Sequence, residues 1–158
     1  MKNDEIQIVA ADEKYLKGIN ELGYEIFEYH KNLLPEFYSP RDKEQFEQRY
    51  LEIMGCETAI FLVALSQGQV VGFILAQIVE KPWQKISRIC FVEEIGVHHS
   101  YRRRGIGQKI FDAFRQECRK RQIGRITLNV YNLNKSAILF YEKMGFKALS
   151  TRMNLNVE

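Results

Sequence analysis

The spacing of apolar residues changes period several times along the chain, and each change predicts an element. Glu5-Ile6-Gln7-Ile8-Val9 alternates as a first strand. Asp12 then offers a cap for a helix that carries Leu16, Ile19, Leu22, Gly23, Ile26 and Phe27 on one face. Beyond Pro40 a second helix is predicted from about Asp42 to Met54, with Phe46, Tyr50, Ile53 and Met54 as its apolar side. The period next falls to two, and runs from Thr58 to Leu65 and from Val70 to Ile78 flank Ser66-Gln67-Gly68-Gln69, which reads as an antiparallel hairpin. A strand from Ile86 to Val97 leads into a basic, glycine-containing segment. After it Ile106, Ile110, Phe111, Phe114 and Cys118 recur at helical spacing in a helix region that Gly124 ends. Arg125 to Val130 is β-rich, Asn134 to Met144 reads as a helix closed by Gly145, and Phe146 opens a last strand. The fold class is mixed α/β.

Composition narrows this picture without changing it. With 158 residues, 46% hydrophobic and 27% charged, the chain fits one compact domain over residues 1–158, and no repeat or linker interrupts it. No apolar run has the length to span a bilayer, so no membrane association is expected. The start, Met1-Lys2-Asn3-Asp4-Glu5, lacks the basic and apolar regions of a signal peptide, and a cytoplasmic location is the expectation. Cys56, Cys90 and Cys118 are far apart, form no CxxC pair and suggest packing rather than a zinc site or disulfide framework; no metal is expected. The net charge is +3, with basic residues clustered from Arg102 to Arg125. That cluster suits a polyanion, but no nucleic-acid recognition module accompanies it, so no nucleic-acid partner is expected.

Candidate chemistry concentrates at Arg102-Arg103-Arg104-Gly105-Ile106-Gly107, between a strand and a helix. A helix N-terminus presents unpaired N–H groups and a positive dipole end, and glycines let an anion approach them. Three arginines add bidentate donors, so the segment suits a pyrophosphate. The bland alternative is that Gly105 and Gly107 only allow tight helix packing. A Rossmann loop is disfavoured by the missing third glycine and acidic ribose ligand, and a Walker loop by the lack of Gly-Lys-Ser/Thr.

Tyr101-Arg102-Arg103-Arg104-Gly105-Ile106-Gly107 resembles the R/Q-x-x-G-x-G/A acetyl-CoA signature of the GCN5-related N-acetyltransferases (GNAT). The stretch Asn134-Lys135-Ser136-Ala137-Ile138-Leu139-Phe140-Tyr141-Glu142-Lys143-Met144-Gly145-Phe146 resembles that family's second motif. The resemblance covers nearly the whole chain. It implies a central, twisted, mostly antiparallel sheet flanked by helices, with acetyl-CoA as co-substrate and an amine as acceptor. It also implies cofactor contacts from Ile95, Gly96 and Val97, from the loop through Gln108, and from Asn134, Ser136 and Tyr141. Tyr141 is implied to protonate the departing thiolate or hold it by a hydrogen bond. A homodimer is an expectation from family analogy alone.

An alkylammonium must lose a proton before it can attack, and Glu93 and Glu94 are the carboxylates at hand. A charge inside a strand is costly unless it faces a wet cavity. Strict alternation places Glu93 with Phe91, Ile95 and Val97, and Glu94 with Val92 and Gly96, so only one should face substrate; a bulge would change this. Glu93 is slightly favoured as base, and a salt bridge is the alternative role for the other. The family resemblance implies an acceptor surface from Tyr24 through Tyr38, where Glu25, Glu28, His30 and Glu36 stand among Tyr24, Phe27, Tyr29, Phe37 and Tyr38. Polyamine, peptide amine and aminoglycoside all stay open as acceptors, and the rival function is a CoA-binding sensor or assembly module without turnover.

Overall fold

The structure is a computed structural model that describes residues 5–157. One five-stranded sheet, in the order β1-β2-β3-β4-β5, organises it. The strands are β1 (Ile6–Ala10), β2 (Ala59–Ser66), β3 (Gln69–Glu80), β4 (Arg88–Val97) and β5 (Arg125–Leu128). Neighbours are antiparallel except β4 and β5, which are parallel and joined through a helical crossover. The helices are α1 (Leu16–Leu33), α2 (Lys43–Ile53), α3 (Ile106–Lys120) and α4 (Lys135–Lys143). This is the mixed α/β architecture expected from the alternating periods.

Alternation in β2 shows how the sheet separates its two cores. Ile60 and Ala64 face α3, where Ile106, Ile110, Phe111, Phe114 and Cys118 are buried. Phe61, Val63 and Leu65 face the opposite way, towards Leu16, Ile19, Leu22 and Phe27 of α1 and Phe46 and Tyr50 of α2. Cys90 and Cys118 are buried on the α3 side and behave as small apolar groups, while Cys56 is exposed.

Local chemistry sets most boundaries. Asp42 and Gln45 form a capping box at the start of α2. Gln67 and Gly68 both have positive φ, the conformation of a two-residue hairpin turn, and join β2 to β3. Gly145, at φ 98, closes α4.

Several expectations are corrected. Asp12 caps a single 3-10 turn, Glu13–Tyr15, and α1 begins only at Leu16. The α3 region stops at Arg121 and Gln122, the latter at φ 57, while Gly124 is required because a side chain there would meet Ile86 at 2.6 Å. β5 ends at Leu128 rather than Val130 because its pairing with β4 ends there. No strand forms from Phe146 to residue 157: Phe146 packs on Phe111, but the residues after it reach no sheet edge. Among the described residues, no helix is long and apolar enough to cross a membrane.

Candidate active site

β4 is the strand from which the site is built. On one edge it pairs with β3 from Arg88 to Val97. On the other it pairs with β5 only from Ile89 to Val92, opposite Arg125 to Leu128. Beyond Val92 the strands part. The β5-facing edge of β4 beyond Val92 therefore has no sheet neighbour, and apart from the Val97 carbonyl, which accepts from Arg102, the backbone groups on it are not used in a ladder. By the alternation of the ladder Ile95 and Val97 turn their backbone groups to this edge while Gly96 pairs with Phe73 of β3, and a side chain at Gly96 would strike Ile26 of α1 at 2.4 Å.

This edge leads to the arginine-glycine loop. Gly105 is the N-cap of α3 at φ 74, and no side chain caps the helix. A Cβ built on Gly105 would meet nothing within 4 Å, so this glycine answers a backbone requirement and leaves the N–H groups of the first turn approachable. Gly107 does something else: a Cβ there would stand 3.2 Å from Phe140, so it permits α3 and α4 to pack closely. The close packing expected as an alternative thus applies to Gly107 and not to Gly105. Ile106 is buried beneath the loop, and Gln108 is exposed on the first turn.

The three arginines differ. Arg102 folds back, its Nε donating to the carbonyl of Val97 at 3.1 Å and its guanidinium lying 3.4 Å from Glu25. Arg104 stacks on Tyr101, 5.2 Å from the ring centre, and Arg103 is exposed at φ 62. Glu25 also accepts from the N–H of His99 at 3.2 Å and lies 3.8 Å from His98 Nε2. Glu25, His98 and His99 hold their donor atoms within 4.8 Å of one another. Arg102 shares the carboxylate, and the N–H of Ser100 donates to His98 Nδ1 at 3.3 Å, leaving the ring hydrogen on Nε2. That is the chemistry of an ion-pair brace between α1 and the loop. Glu25, expected among the acceptor-surface acids, thus has its carboxylate engaged by the loop.

Asn134 is 7% exposed and caps α4, its Oδ1 accepting from the N–H of Ala137 and the hydroxyl of Ser136, each at 3.3 Å. The hydroxyl of Tyr29 donates to the same oxygen at 3.4 Å, tying α1 to α4. Tyr141, about two turns further along α4, packs beside Phe140 and Phe146. Burial pushes its phenol up to about 12.

On the opposite face of β4 the two carboxylates meet. The register slips between Leu75 and Ala76, so that Leu75 opposes Glu94, Ala76 opposes Val92, and Glu93 is the extra residue of a bulge. Cys90 and Val92 face α3 before the bulge, and Ile95 and Val97 after it. The strict alternation expected from the sequence is therefore overturned: Glu93 and Glu94 turn to the same partner. Arg49 of α2 donates to Glu93 at 2.6 Å and, through its other terminal nitrogen, to Glu94. The hydroxyl of Tyr50 donates to the remaining oxygen of Glu94 at 2.7 Å. Burial opposes the charge on Arg49, but Glu94 and then Glu93 outweigh it and raise its pKa. Burial, reinforced by Glu94, pushes the Tyr50 phenol up and keeps it a donor. Gly23 makes room for this arrangement, since a side chain there would meet the Tyr50 hydroxyl at 2.0 Å.

Aromatic rings line the same side. Phe27 packs on Phe46 and Tyr38, and Tyr24 meets Phe46 edge-on. Tyr38 and Tyr131 share a hydrogen bond of 2.6 Å between their hydroxyls, joining the α1–α2 loop to the segment after β5. His30 faces the Tyr131 ring at 5.9 Å. Burial lowers its pKa, against the opposing pull of Glu94 and of a hydrogen bond to the carbonyl of Ile26, and it stays neutral near pH 7. Glu28 is paired with Lys31 at 2.9 Å, and Phe37 is exposed. Arg49, Tyr50 and Tyr131 were missed from the sequence; only folding brings these distant residues to the site.

A β4–β5 pair that ends early beside a glycine-capped helix, with two carboxylates clamped by Arg49 behind, fits an acyl-CoA transferase type of scaffold. Residues 24–146 match the model of the Acetyltransferase (GNAT) family, and the chain belongs to that family. The chain is 31% identical over 107 residues to a probable N-acetyltransferase camello of Xenopus tropicalis, covering 68% of this chain and 46% of that protein. It is 36% identical over 55 residues to the L-ornithine N5-acetyltransferase NATA1 of Arabidopsis thaliana, covering 35% of this chain and 24% of the relative. The matched stretches thus span less than half the length of these curated relatives. Among solved structures, a tetramutant of the BH1408 protein from Bacillus halodurans shares the fold with a TM-score of 0.87 at 20% identity, over 96% of this chain and 99% of its own. The aminoglycoside N-acetyltransferase AAC(6')-Iy in complex with CoA superposes with a TM-score of 0.79 at 17% identity, over 99% and 97% of the two chains.

Proposed function

We propose that this protein is an acetyl-CoA-dependent N-acetyltransferase whose acceptor is a primary amine of a small molecule or peptide. One observation carries the reading: β4 abandons β5 at Val92 and delivers an unpaired backbone edge directly to the Gly105 helix terminus. That combination fits a ligand with an amide-bearing arm and a pyrophosphate. The backbone groups of Ile95 and the N–H of Val97 would hold the arm, with Gly96 between them paired to β3, and the first turn of α3, from Gly105 through Gln108, would hold the phosphates with Arg103 and Arg104. Asn134 and Ser136, already committed to capping α4, would act mainly by placing that helix. Acetyl-CoA supplies an activated acyl group for direct attack by the amine.

Glu93 is the better proton acceptor of the pair. Both oxygens of Glu94 receive a donor, from Arg49 and Tyr50, whereas Arg49 engages one oxygen of Glu93. Glu94 then serves as the anchor that holds Arg49. Tyr141, with its phenol near 12, is a weaker acid than a thiol at about 8.5, so it stabilises the departing sulfur by a hydrogen bond and yields its proton late. A fixed N–H on the β4 edge can polarise the thioester carbonyl without help from any side chain.

A thiol-release assay with acetyl-CoA, across polyamines, peptide amines and aminoglycosides and with products confirmed by mass, tests the reading. Turnover with at least one amine is expected. Arg49 holding both carboxylates favours the second reading, a CoA-binding sensor without turnover. Thermal protection by CoA with no product from any amine would establish that reading instead.

A further inference from the structure

Two exposed cations on the carboxylate side of the sheet have no task in the reaction assigned above. Arg41 and Lys43 flank Asp42, the cap of α2, and no described carboxylate lies within ion-pair distance of either. Both are held over aromatic rings. The Arg41 guanidinium stands 4.7 Å from the centre of the Phe46 ring, and the Lys43 ammonium 5.1 Å from that of Tyr24. Those two rings meet edge-on with their centres 6.0 Å apart, so the cations share one aromatic cluster.

The cluster leads to the clamped carboxylates. Phe46 and Tyr50 lie one turn apart on α2, about 6 Å along its axis, and the Tyr50 hydroxyl donates to Glu94. The charge of Arg41 is felt at that hydroxyl: burial and then Glu94 push the phenol up, while Arg49 and then Arg41 pull against them. Around Glu93 the balance is negative, because the single charge of Arg49 faces two carboxylates. Towards the start of α2 it is positive, since Glu44 and Glu47, exposed on the same helix, leave Arg41 and Lys43 unpaired.

A negative inner end, an aromatic floor and a positive outer end complement an ammonium, a run of methylenes and a carboxylate in one molecule. A polyamine or an aminoglycoside would instead bring a second cation towards Arg41 and Lys43, and like charges there oppose it.

We propose that the acceptor is a small amino acid whose reacting amine stands several methylenes from its carboxylate, and that Arg41 and Lys43 select it by holding that carboxylate. The fate of the amine rests on the transfer reading above, and the hold on the carboxylate is a claim about binding. Arg41 and Lys43 touch no reacting atom; they set specificity.

Lysine, its methyl ester and cadaverine present the same terminal amine on a methylene chain, and lysine alone adds a carboxylate. With saturating acetyl-CoA, kcat/KM from thiol release, with products confirmed by mass, should favour lysine over the other two by about tenfold. Arg41→Gln combined with Lys43→Gln should remove most of that preference by raising KM for lysine, and should improve the use of cadaverine. Lys43→Arg alone should keep it. Circular dichroism and the melting temperature check that the variants fold. A wild type that uses the ester or cadaverine as well as lysine, or a preference that survives the double substitution, would overturn the proposal. If no amine is turned over, calorimetry of lysine and its methyl ester on the CoA-loaded protein reads the same difference. Tighter binding of lysine that the double substitution abolishes would uphold the carboxylate contact and remove only the transfer. Equal affinity, or none for either, would overturn both.

Discussion

The two faces of the site are made in different ways. On the proposed donor side, the surface is backbone: the free edge of β4 and the first turn of α3, shaped by Gly105 and by the close approach that Gly107 allows. On the acceptor side it is side chain: Glu93 and Glu94 clamped by Arg49, Tyr50 set against Gly23, and rings from three elements. The difference teaches that the donor side tolerates exchange of most side chains, whereas the acceptor side depends on particular ones held by distant partners.

Substitutions can break or sharpen that contrast. The largest effect is expected from Tyr141→Phe, which should slow acetyl transfer by about 100-fold while the affinity for CoA, measured by calorimetry, changes little. Equal turnover would remove the hydrogen bond to sulfur from the reaction. Next, Glu93→Gln and Glu94→Gln should separate: the first should lower kcat about tenfold or more with a normal melting temperature, and the second should lower the melting temperature. If both variants simply melt earlier at full activity, neither carboxylate takes the proton.

Arg104→Glu should weaken CoA about tenfold at low salt and much less at high salt, because an exposed guanidinium acts through a screened charge. Affinity that ignores both changes would contradict the phosphate loop. Gly105→Ala should cost about 1 kcal/mol in stability through its φ of 74, measured by denaturant unfolding, with a matching loss in CoA affinity.

The smallest effect is in the pH dependence of stability. His30 is depressed in the folded chain, so the unfolded chain binds its proton first, near 6.5, and stability falls as the pH drops below that value. His30→Gln should flatten this acid limb. Tyr141 runs the other way: raised from 10 to about 12, it loses its contribution as the pH climbs through that window, and Tyr141→Phe should abolish the loss.

What the sequence disclosed follows the same division. The proposed donor side is local in the chain, two contiguous runs from Arg102 to Gly107 and from Asn134 to Tyr141, and the hairpin, α2 and the strand before the loop appear with boundaries close to those observed, whereas the start of α1 and the end of α3 do not. The acceptor side depends on contacts between residues far apart: Arg49 reaches Glu94 and Tyr38 reaches Tyr131 only after the sheet has formed. The relation of Glu93 to Glu94 was hidden for a sharper reason. It is fixed by one extra residue relative to β3, and a cross-strand register leaves no mark in the composition of β4. The last strand failed for a third reason, since an alternating segment becomes a strand only when an edge is within reach.

The early parting of β4 from β5 has a consequence for descent. Hydrogen-bonding groups on a main chain are copied with every residue, so if the β4 edge holds the acyl donor as proposed, mutation can wear away an acceptor pocket while that hold is inherited intact. A lineage built on this plan can change its customer without changing its supplier.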